Sequence, residues 1–280
     1  MLSYTAWNTW GNFAAALSGH GNNVLLNIFF GPPVNAGRSV ATQANGALNS
    51  FVQNIQAAIN PQIIKLYASG DIAQVHSLVL HASKYNFLLL LTLGLPVLLN
   101  AEVLLGIWLV EVPPYAEVFL KLTIVASLVD SFSGPLMTSA QATGHIRLYH
   151  TVVGMLLLLN VPISYVFLLQ GFPPETVLII TIGLAALALI ARIVIISPLI
   201  KLPIINFFSR VLVRSFLVVG AASMASNFIQ SDDQSSLSRV ALNLTISMAI
   251  TVAMIWLAGL NRVERKYLSS VMRSIGNRLN

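Results

Sequence analysis

Apolar runs recur along this chain, and in several of them the polar positions follow a helical period. A run of about 20 apolar residues is the length that an α-helix needs to cross the hydrocarbon core of a bilayer. We place such runs at about 4–30, 35–62, 80–109, 115–141, 148–170, 175–197, 209–229 and 239–260. The pattern therefore predicts an all-α, polytopic membrane bundle of about eight transmembrane helices.

The second run contains a polar stripe. Its members recur every three or four residues and so share one helical face; they are Asn35, Arg38, Thr42, Asn45, Asn49, Gln53, Gln56 and Asn60. Because lipid offers amides no hydrogen bonds, the stripe must face protein or water. It either walls a polar transport cavity or joins neighbouring helices by hydrogen bonds. Its length favours the cavity, with Asn35, Arg38, Thr42, Asn45, Asn49 and Gln53 as candidate substrate-binding residues.

Two charged residues inside predicted helices are candidates for chemistry. The guanidinium of Arg38 suits a phosphate or pyrophosphate, because it donates forked hydrogen bonds. Alternatively, Arg38 is an interfacial arginine beside the Gly31-Pro32-Pro33 turn. Asp130 lies deep in its run, where a buried carboxylate could couple transport to a proton or cation, or pair with Arg38. Its alternative is a structural carboxylate bound to hydroxyls near Pro135.

The first run offers a second wall for the cavity. Five of its residues lie close to one face of the helix: Asn8, Asn12, Gly19, Asn23 and Asn27. We therefore expect the first two helices to face the same polar space.

Composition and charge agree with a membrane location. Only 9% of the 280 residues are charged, against about 25% in soluble domains. With eight spans, most of the 15 Lys and Arg residues fall at or near the side of the two termini, including Lys84, Arg192 and the tail residues Arg273 and Arg278. The positive-inside rule then predicts that both termini are cytoplasmic. The net charge of +6 is thus an orientation signal, and we expect no nucleic-acid partner.

The chain shows no sign of enzyme chemistry. It has no cysteine, which excludes disulfides and cysteine-based metal sites. Nucleophile-elbow, zinc-protease, P-loop and dinucleotide motifs are all missing from the sequence. We therefore predict that the protein is not an enzyme and uses no cofactor or metal.

Two stretches of the chain have a recognisable pattern. The first is Phe30-Gly-Pro-Pro-Val-Asn-Ala-Gly-Arg38, continued by Asn60-Pro-Gln-Ile63 and Tyr67-Ala-Ser-Gly-Asp71. The second is Asp130-Ser-Phe-Ser-Gly-Pro-Leu-Met137, continued by Gln141-Ala-Thr-Gly144 and Ile146-Arg-Leu-Tyr149. Both stretches resemble bacterial polysaccharide flippases of the O-antigen translocase type, in the superfamily shared with multidrug (MATE) exporters and the lipid II flippase. The likeness covers about residues 1 to 205.

The resemblance implies a fold and a function. Residues 1–205 would be the second six-helix lobe of a flippase, and 206–280 two additional helices with a basic cytoplasmic tail. The first lobe is missing, so we expect a fragment or a split-gene product, whose partner is that lobe or a polysaccharide-assembly protein. The implied activity is translocation of undecaprenyl-pyrophosphate-linked oligosaccharide across the bacterial inner membrane, with Arg38 holding the pyrophosphate. The alternatives are one lobe of a cation-coupled drug exporter and a non-transporting scaffold in polysaccharide assembly.

Overall fold

The chain is almost entirely helical in this computed structural model, which describes residues 2–229, 237–261, 264–266 and 269. Within those ranges there are twelve α-helices and no strand. The helices are α1 (Leu2–Phe30), α2 (Pro32–Ala68), α3 (Ile72–Leu99), α4 (Ala101–Trp108), α5 (Ala116–Asp130), α6 (Ser133–Thr143), α7 (Ile146–Leu158), α8 (Asn160–Leu169), α9 (Thr176–Ile200), α10 (Ile204–Phe207), α11 (Val213–Ile229) and α12 (Leu237–Met254). Two π-helical segments, Phe208–Leu212 and Ile255–Gly259, precede α11 and follow α12. The side chain of Asn8 and the tail residues Arg273 and Arg278 lie outside the described part.

Five helical stretches among the described residues are long and apolar enough to cross a membrane. They are Ile72–Leu99, Ile146–Leu169, Thr176–Ile200, Ile204–Ser226 and Ser238–Gly259. Apolar helices of this length and number indicate a multi-pass membrane protein. The predicted count of eight is not confirmed. The other three predicted spans are helical, but they contain the polar positions of α1 and α2 and the break between α5 and α6.

Helices α2 and α3 are longer than a bilayer requires. The 37 residues of α2 span about 55 Å at 1.5 Å per residue, against about 30 Å of hydrocarbon. α3 begins at Ile72 rather than near 80. Asp71 caps α3, because its carboxylate accepts a hydrogen bond from the backbone nitrogen of Gln74 at 3.1 Å. We call this end of the bundle the Gly70 end, and the opposite end, which contains Gly31, the Gly31 end.

Proline explains two of the breaks between helices. α5 ends at Asp130 and α6 begins at Ser133, two residues before Pro135. α7 and α8 are separated at Leu159, three residues before Pro162. A proline donates no backbone hydrogen bond, so the carbonyl four residues earlier loses its helical partner. Near the first break, the hydroxyl of Ser83 donates to the carbonyl oxygen of Phe132 at 3.0 Å.

Helices α1, α2, α5, α9 and the α7–α8 pair form a ring. In the ring α1 packs on α2 and on α7 and α8, α2 packs on α5, and α9 closes it between α5 and the α7–α8 pair. α3 lies outside, against α2, α5 and α6. Buried aromatic rings fill the contact between α3 and the α5–α6 break, where Phe87 and Phe132 stack with centroids 4.5 Å apart. The interior of the ring is therefore lined by the helices with polar faces.

The last two helices attach to α3 beside a buried ion pair. α12 packs along α3 and on α11. The ammonium of Lys84 on α3 lies 2.6 and 2.7 Å from the two carboxylate oxygens of Glu264, which follows α12. Burial tends to raise the pKa of Glu264, but hydrogen bonds from His81, Lys84 and the Asn261 backbone lower it from 4.5 to about 2. Lys84, which the charge pattern assigned to the terminal side as an orientation signal, is thus a buried structural cation.

Two glycines have specific roles in the first turns of α2. Gly31 has φ +82°, and Pro32 and Pro33 follow it in the first turn of α2, where their missing N–H groups cost no helical bond. At Gly37 the backbone of Pro114 and Ala116 approaches so closely that a Cβ atom would overlap the Pro114 carbonyl oxygen. Gly37 therefore permits the close approach of the backbone at Pro114 and Ala116 to α2.

Candidate functional site

The polar stripe of α2 divides into parts with different surroundings. Arg38 and Thr42 line a polar cavity inside the ring of helices. Asn45 and Asn49 each donate from their amide nitrogens to the hydroxyl of Ser127 on α5, at 2.8 and 3.2 Å. Ser127 lines the cavity, whereas Asn45 and Asn49 do not. The two amides therefore contact a residue of the cavity lining without belonging to it. Asn35 is partly buried and Gln53 is exposed, and neither belongs to the cavity lining.

The part of the stripe nearest the Gly70 end is packed against protein. The amide nitrogen of Gln56 donates to Asn60 at 2.6 Å, and the hydroxyl of Thr138 on α6 donates to the same Asn60 oxygen at 2.7 Å. The side-chain nitrogen of Asn86 on α3 donates in turn to the side-chain oxygen Oε1 of Gln56. This is the interhelical bonding that the alternative interpretation described, so the stripe does not border one wet interior along its whole length.

The polar cavity has a volume of about 400 Å³. Its polar lining residues come from α1, α2, α5, α8 and α9: Ser18, Asn22, Arg38, Thr42, Thr123, Ser127, Asp130, Asn160, Thr181 and Arg192. Of the predicted wall on α1, Gly19 lines this cavity and Asn23 contacts Arg38, whereas Asn12 and Asn27 are exposed. Helices α1 and α2 thus form adjacent walls of one polar space.

Arg38 lies at the part of the cavity nearer the Gly31 end, one residue after the contact of Gly37 with Ala116. Its Nε donates to the side-chain oxygen of Asn23 at 2.5 Å. Its Nη1 is buried and has no hydrogen-bond partner among the described residues. A buried guanidinium nitrogen without an acceptor costs free energy, so a ligand oxygen that reached it would be bound favourably.

Asp130 pairs with Arg192, not with Arg38. The Arg192 Nη1 atom lies 2.8 Å from the Asp130 carboxylate and 2.6 Å from the hydroxyl of Ser133. The Asp130 side chain is 61% exposed and that of Arg192 is 9% exposed. The prediction that the Asp130 carboxylate is buried is therefore wrong. The carboxylate faces the open cavity, and its partner is an arginine that the charge pattern had assigned to the terminal side.

Sequence reasoning missed Arg192 as a site residue. It was counted toward orientation because it lies close to the predicted end of its run at 197. The signal was a single cation in the otherwise apolar sequence of α9, between Ala191 and Ile193. An arginine flanked on both sides by apolar residues of a membrane helix faces a cavity or a partner rather than lipid. Thr181 and Asn160, which bond to each other at 2.8 Å, gave no comparable signal.

Charge and hydrogen-bond capacity favour an anionic ligand. Among the described lining residues, two arginines face one carboxylate. The Nη1 of Arg38 and the Nε of Arg192 are buried and have no hydrogen-bond partner among the described residues, while the Arg192 guanidinium also hydrogen-bonds to Tyr149. Hydroxyls of Thr42, Thr123 and Ser127 add weaker donors and acceptors along the wall between them. A polar molecule with at least one phosphate-like group matches this arrangement.

A second polar surface faces outward from α2. Exposed along this helix are Ser39, Gln43, Ser50, Gln53 and Asn54, together with small residues such as Gly46 and Ala47. Amide side chains cannot be satisfied by hydrocarbon. In a membrane this face must therefore contact water or another polypeptide.

No protein-family model matches the chain, and no curated protein and no solved structure is similar enough to count as a match. The likeness to flippases thus remains a prediction made from two sequence stretches.

Proposed function

We propose that the protein is one lobe of a flippase that moves undecaprenyl-pyrophosphate-linked oligosaccharide across a bacterial inner membrane. The observation that carries the proposal is Arg38, which lines the cavity and whose buried Nη1 has no acceptor among the described residues, with Arg192 as a second guanidinium in the same lining. Arg38 and Arg192 offer forked donors to phosphate oxygens, and the cavity hydroxyls suit sugars. The apolar lipid tail stays in the bilayer.

The outward face of α2 supports a partner lobe. Its exposed amides, including Gln43, Gln53 and Asn54, need a polar neighbour within the membrane. A second lobe facing α2 would enclose them in a hydrated space between the two lobes. Rocking of the lobes about this space would then expose the bound headgroup to each side in turn.

The distribution of charge supports cytoplasmic termini. Near the Gly70 end are exposed cations such as Lys65, Lys201 and Arg210, while Glu102, Glu111, Glu117 and Glu175 come at or near the Gly31 end. The positive-inside rule assigns the Gly70 end to the cytoplasm. Arg192 and Lys84 no longer count toward this rule, because both are buried partners of carboxylates.

Binding by the purified chain tests the assignment of Arg38. Undecaprenyl pyrophosphate should bind, and undecaprenol, which lacks the phosphates, should bind far more weakly. Replacing Arg38→Gln should raise the Kd about 10- to 150-fold, because a hydrogen bond to a charged group contributes about 1.5–3 kcal/mol. Lys65→Gln removes an exposed cation near the Gly70 end and should leave the Kd unchanged. Equal affinity for the two lipids, or an unchanged Kd in Arg38→Gln, would contradict the proposal.

A cation-coupled drug exporter is the second candidate. The observation in its favour is Asp130, whose carboxylate is exposed to the cavity. Its pairing with Arg192 weakens this candidate, since a bound cation would have to compete with the guanidinium. Staining of surface glycan beside measurements of drug resistance in a deletion strain separates the two. Loss of surface glycan without a change in drug resistance supports the flippase, and a change in drug resistance without loss of glycan supports the exporter. Unchanged surface glycan would contradict the flippase.

A further inference from the structure

A second polar pocket lies outside the ring of helices, near the Gly70 end. It forms where α3, the segment from Pro203 to Val211, and the residues after α12 meet, and it has a volume of about 220 Å³. Its polar lining consists of His76, Ser77, His81, Lys84, Asn206, Arg210, Asn261 and Glu264. At this size, below the range of about 300–1,000 Å³ of drug-sized pockets, it suits a small polar group.

The pocket lies beside the end of the last apolar helical stretch. Lys84 donates to the carbonyl oxygen of Gly259 at 3.2 Å, and Gly259 ends the apolar stretch Ser238–Gly259. α3 continues from Lys84 back to Ile72, which extends it about 18 Å beyond this level. With Ser238–Gly259 spanning a bilayer, the end of this stretch and the pocket beside it would lie at the depth of the lipid headgroups.

The charge of the pocket is positive once internal pairs are subtracted. Glu264 is neutralised by Lys84, and it also accepts hydrogen bonds from the Asn261 backbone and lies 3.1 Å from His81. Among the described residues no carboxylate forms an ion pair with Arg210. Arg214, one turn further along, interacts electrostatically with Lys84 and adds to the positive potential.

The backbone around Arg210 brings a cation next to an apolar surface. Arg210 belongs to the π-helical segment Phe208–Leu212, and such segments are often found at functional sites. On the same segment and just before it, Ile204, Ile205 and Phe208 are 38%, 80% and 41% exposed. A donor-rich pocket bordered by exposed apolar side chains matches a molecule with an anionic head and acyl chains.

We propose that this pocket binds the phosphate of an anionic phospholipid headgroup. Arg210 donates forked hydrogen bonds to the phosphate oxygens, and the amides of Asn206 and Asn261 serve the glycerol hydroxyls. The acyl chains lie along Ile205 and Phe208. Basic pockets between membrane helices on the cytoplasmic side bind anionic headgroups in this way. This lipid site is separate from the polar cavity, so the proposal does not depend on the flippase proposal.

Thermal unfolding of the full chain in detergent tests the site, with the fluorescence of its four tryptophans as readout. Three probes are titrated: dioctanoyl-phosphatidylglycerol, dioctanoyl-phosphatidylcholine and inorganic phosphate. Phosphatidylglycerol should raise the Tm in a saturable way, and the other two should not. Arg210→Gln should weaken the apparent affinity about fivefold, as expected for one cation near an anionic headgroup. Lys65→Gln, which removes an exposed cation outside the pocket, should leave it unchanged.

Each other outcome overturns part of the proposal. Equal stabilisation by phosphatidylcholine removes the requirement for negative charge, and equal stabilisation by inorganic phosphate assigns the pocket to a soluble anion. If Arg210→Gln and Lys65→Gln weaken the apparent affinity for phosphatidylglycerol equally, binding depends on the overall positive charge of the Gly70 end and not on this pocket. Because Arg210 is exposed, the Arg210→Gln variant should have the same Tm as the parent when no lipid is added. Native mass spectrometry of the parent and the variant then counts the bound lipid directly.

Discussion

Removing the charge of Glu264 should release the segment that follows α12. Lys84 and Glu264 have side chains that are 4% and 7% exposed, with 2.6 Å between the nearest charged atoms. Glu264→Gln keeps the shape but leaves the Lys84 ammonium buried without a counter-charge. Breaking a buried ion pair in this way costs about 3–5 kcal/mol. At 1.4 kcal/mol per factor of ten, local opening should become roughly a hundredfold to several thousandfold more frequent.

The absence of cysteine from the sequence permits a direct assay of this opening. Leu260 is 6% exposed, so a Leu260→Cys probe is shielded while the segment is closed. The rate of maleimide labelling, measured in lipid nanodiscs, then reports how often the segment opens. Glu264→Gln should accelerate labelling by at least about a hundredfold over the Leu260→Cys parent.

Two further variants decide whether the unpaired charge is the cause. Lys84→Met combined with Glu264→Gln removes both charges and should restore slow labelling, because no buried charge is then left without its partner. Glu117→Gln breaks the exposed Lys121 pair, whose side chains are 44% and 37% exposed, and should change labelling less than threefold. The reasoning is refuted if Glu264→Gln labels as slowly as the parent, or if the double variant labels as fast as Glu264→Gln.

Two shorter predictions concern pH and packing. Because the folded-state pKa of Glu264 is lowered to about 2, its contribution to stability should be complete above about pH 4.5 and lost as the pH falls toward 2. The difference in Tm between the parent and Glu264→Gln, followed across that window, should shrink to zero; a constant difference would contradict it. Gly37→Ala should destabilise the protein by about 1–3 kcal/mol, because the new Cβ overlaps the Pro114 carbonyl oxygen. Gly46→Ala, where a Cβ meets nothing, is the matched control in the same unfolding assay.

Local features of the chain were readable from the sequence. Apolar runs and their breaks predicted the helices, because both helix formation and membrane insertion depend on residues close together in the chain. An aspartate directly before an apolar run is a typical helix cap, and α3 begins directly after Asp71. Arg38 and Asp130 could be singled out because a charge within an apolar helix is rarely accidental. Both line the polar cavity.

Contacts between helices were decided only by the tertiary structure. The helical period of α2 predicted that its polar residues share one face. It did not predict which neighbouring residue each of them contacts. Asn45 meets Ser127 and Asn60 meets Thr138, each more than seventy positions away in the chain. Lys84 and Glu264, separated by 180 positions, carried no sequence signal of their pairing.

The assignment of charges shows the same division. The sequence suggested that Arg192 is an orientation charge and Asp130 a buried carboxylate, while in the fold they form one ion pair in the lining of the cavity. A helical period gives the direction of a side chain relative to its own axis. The rotation and depth at which two helices pack are set by all their contacts together, which no short stretch of sequence encodes.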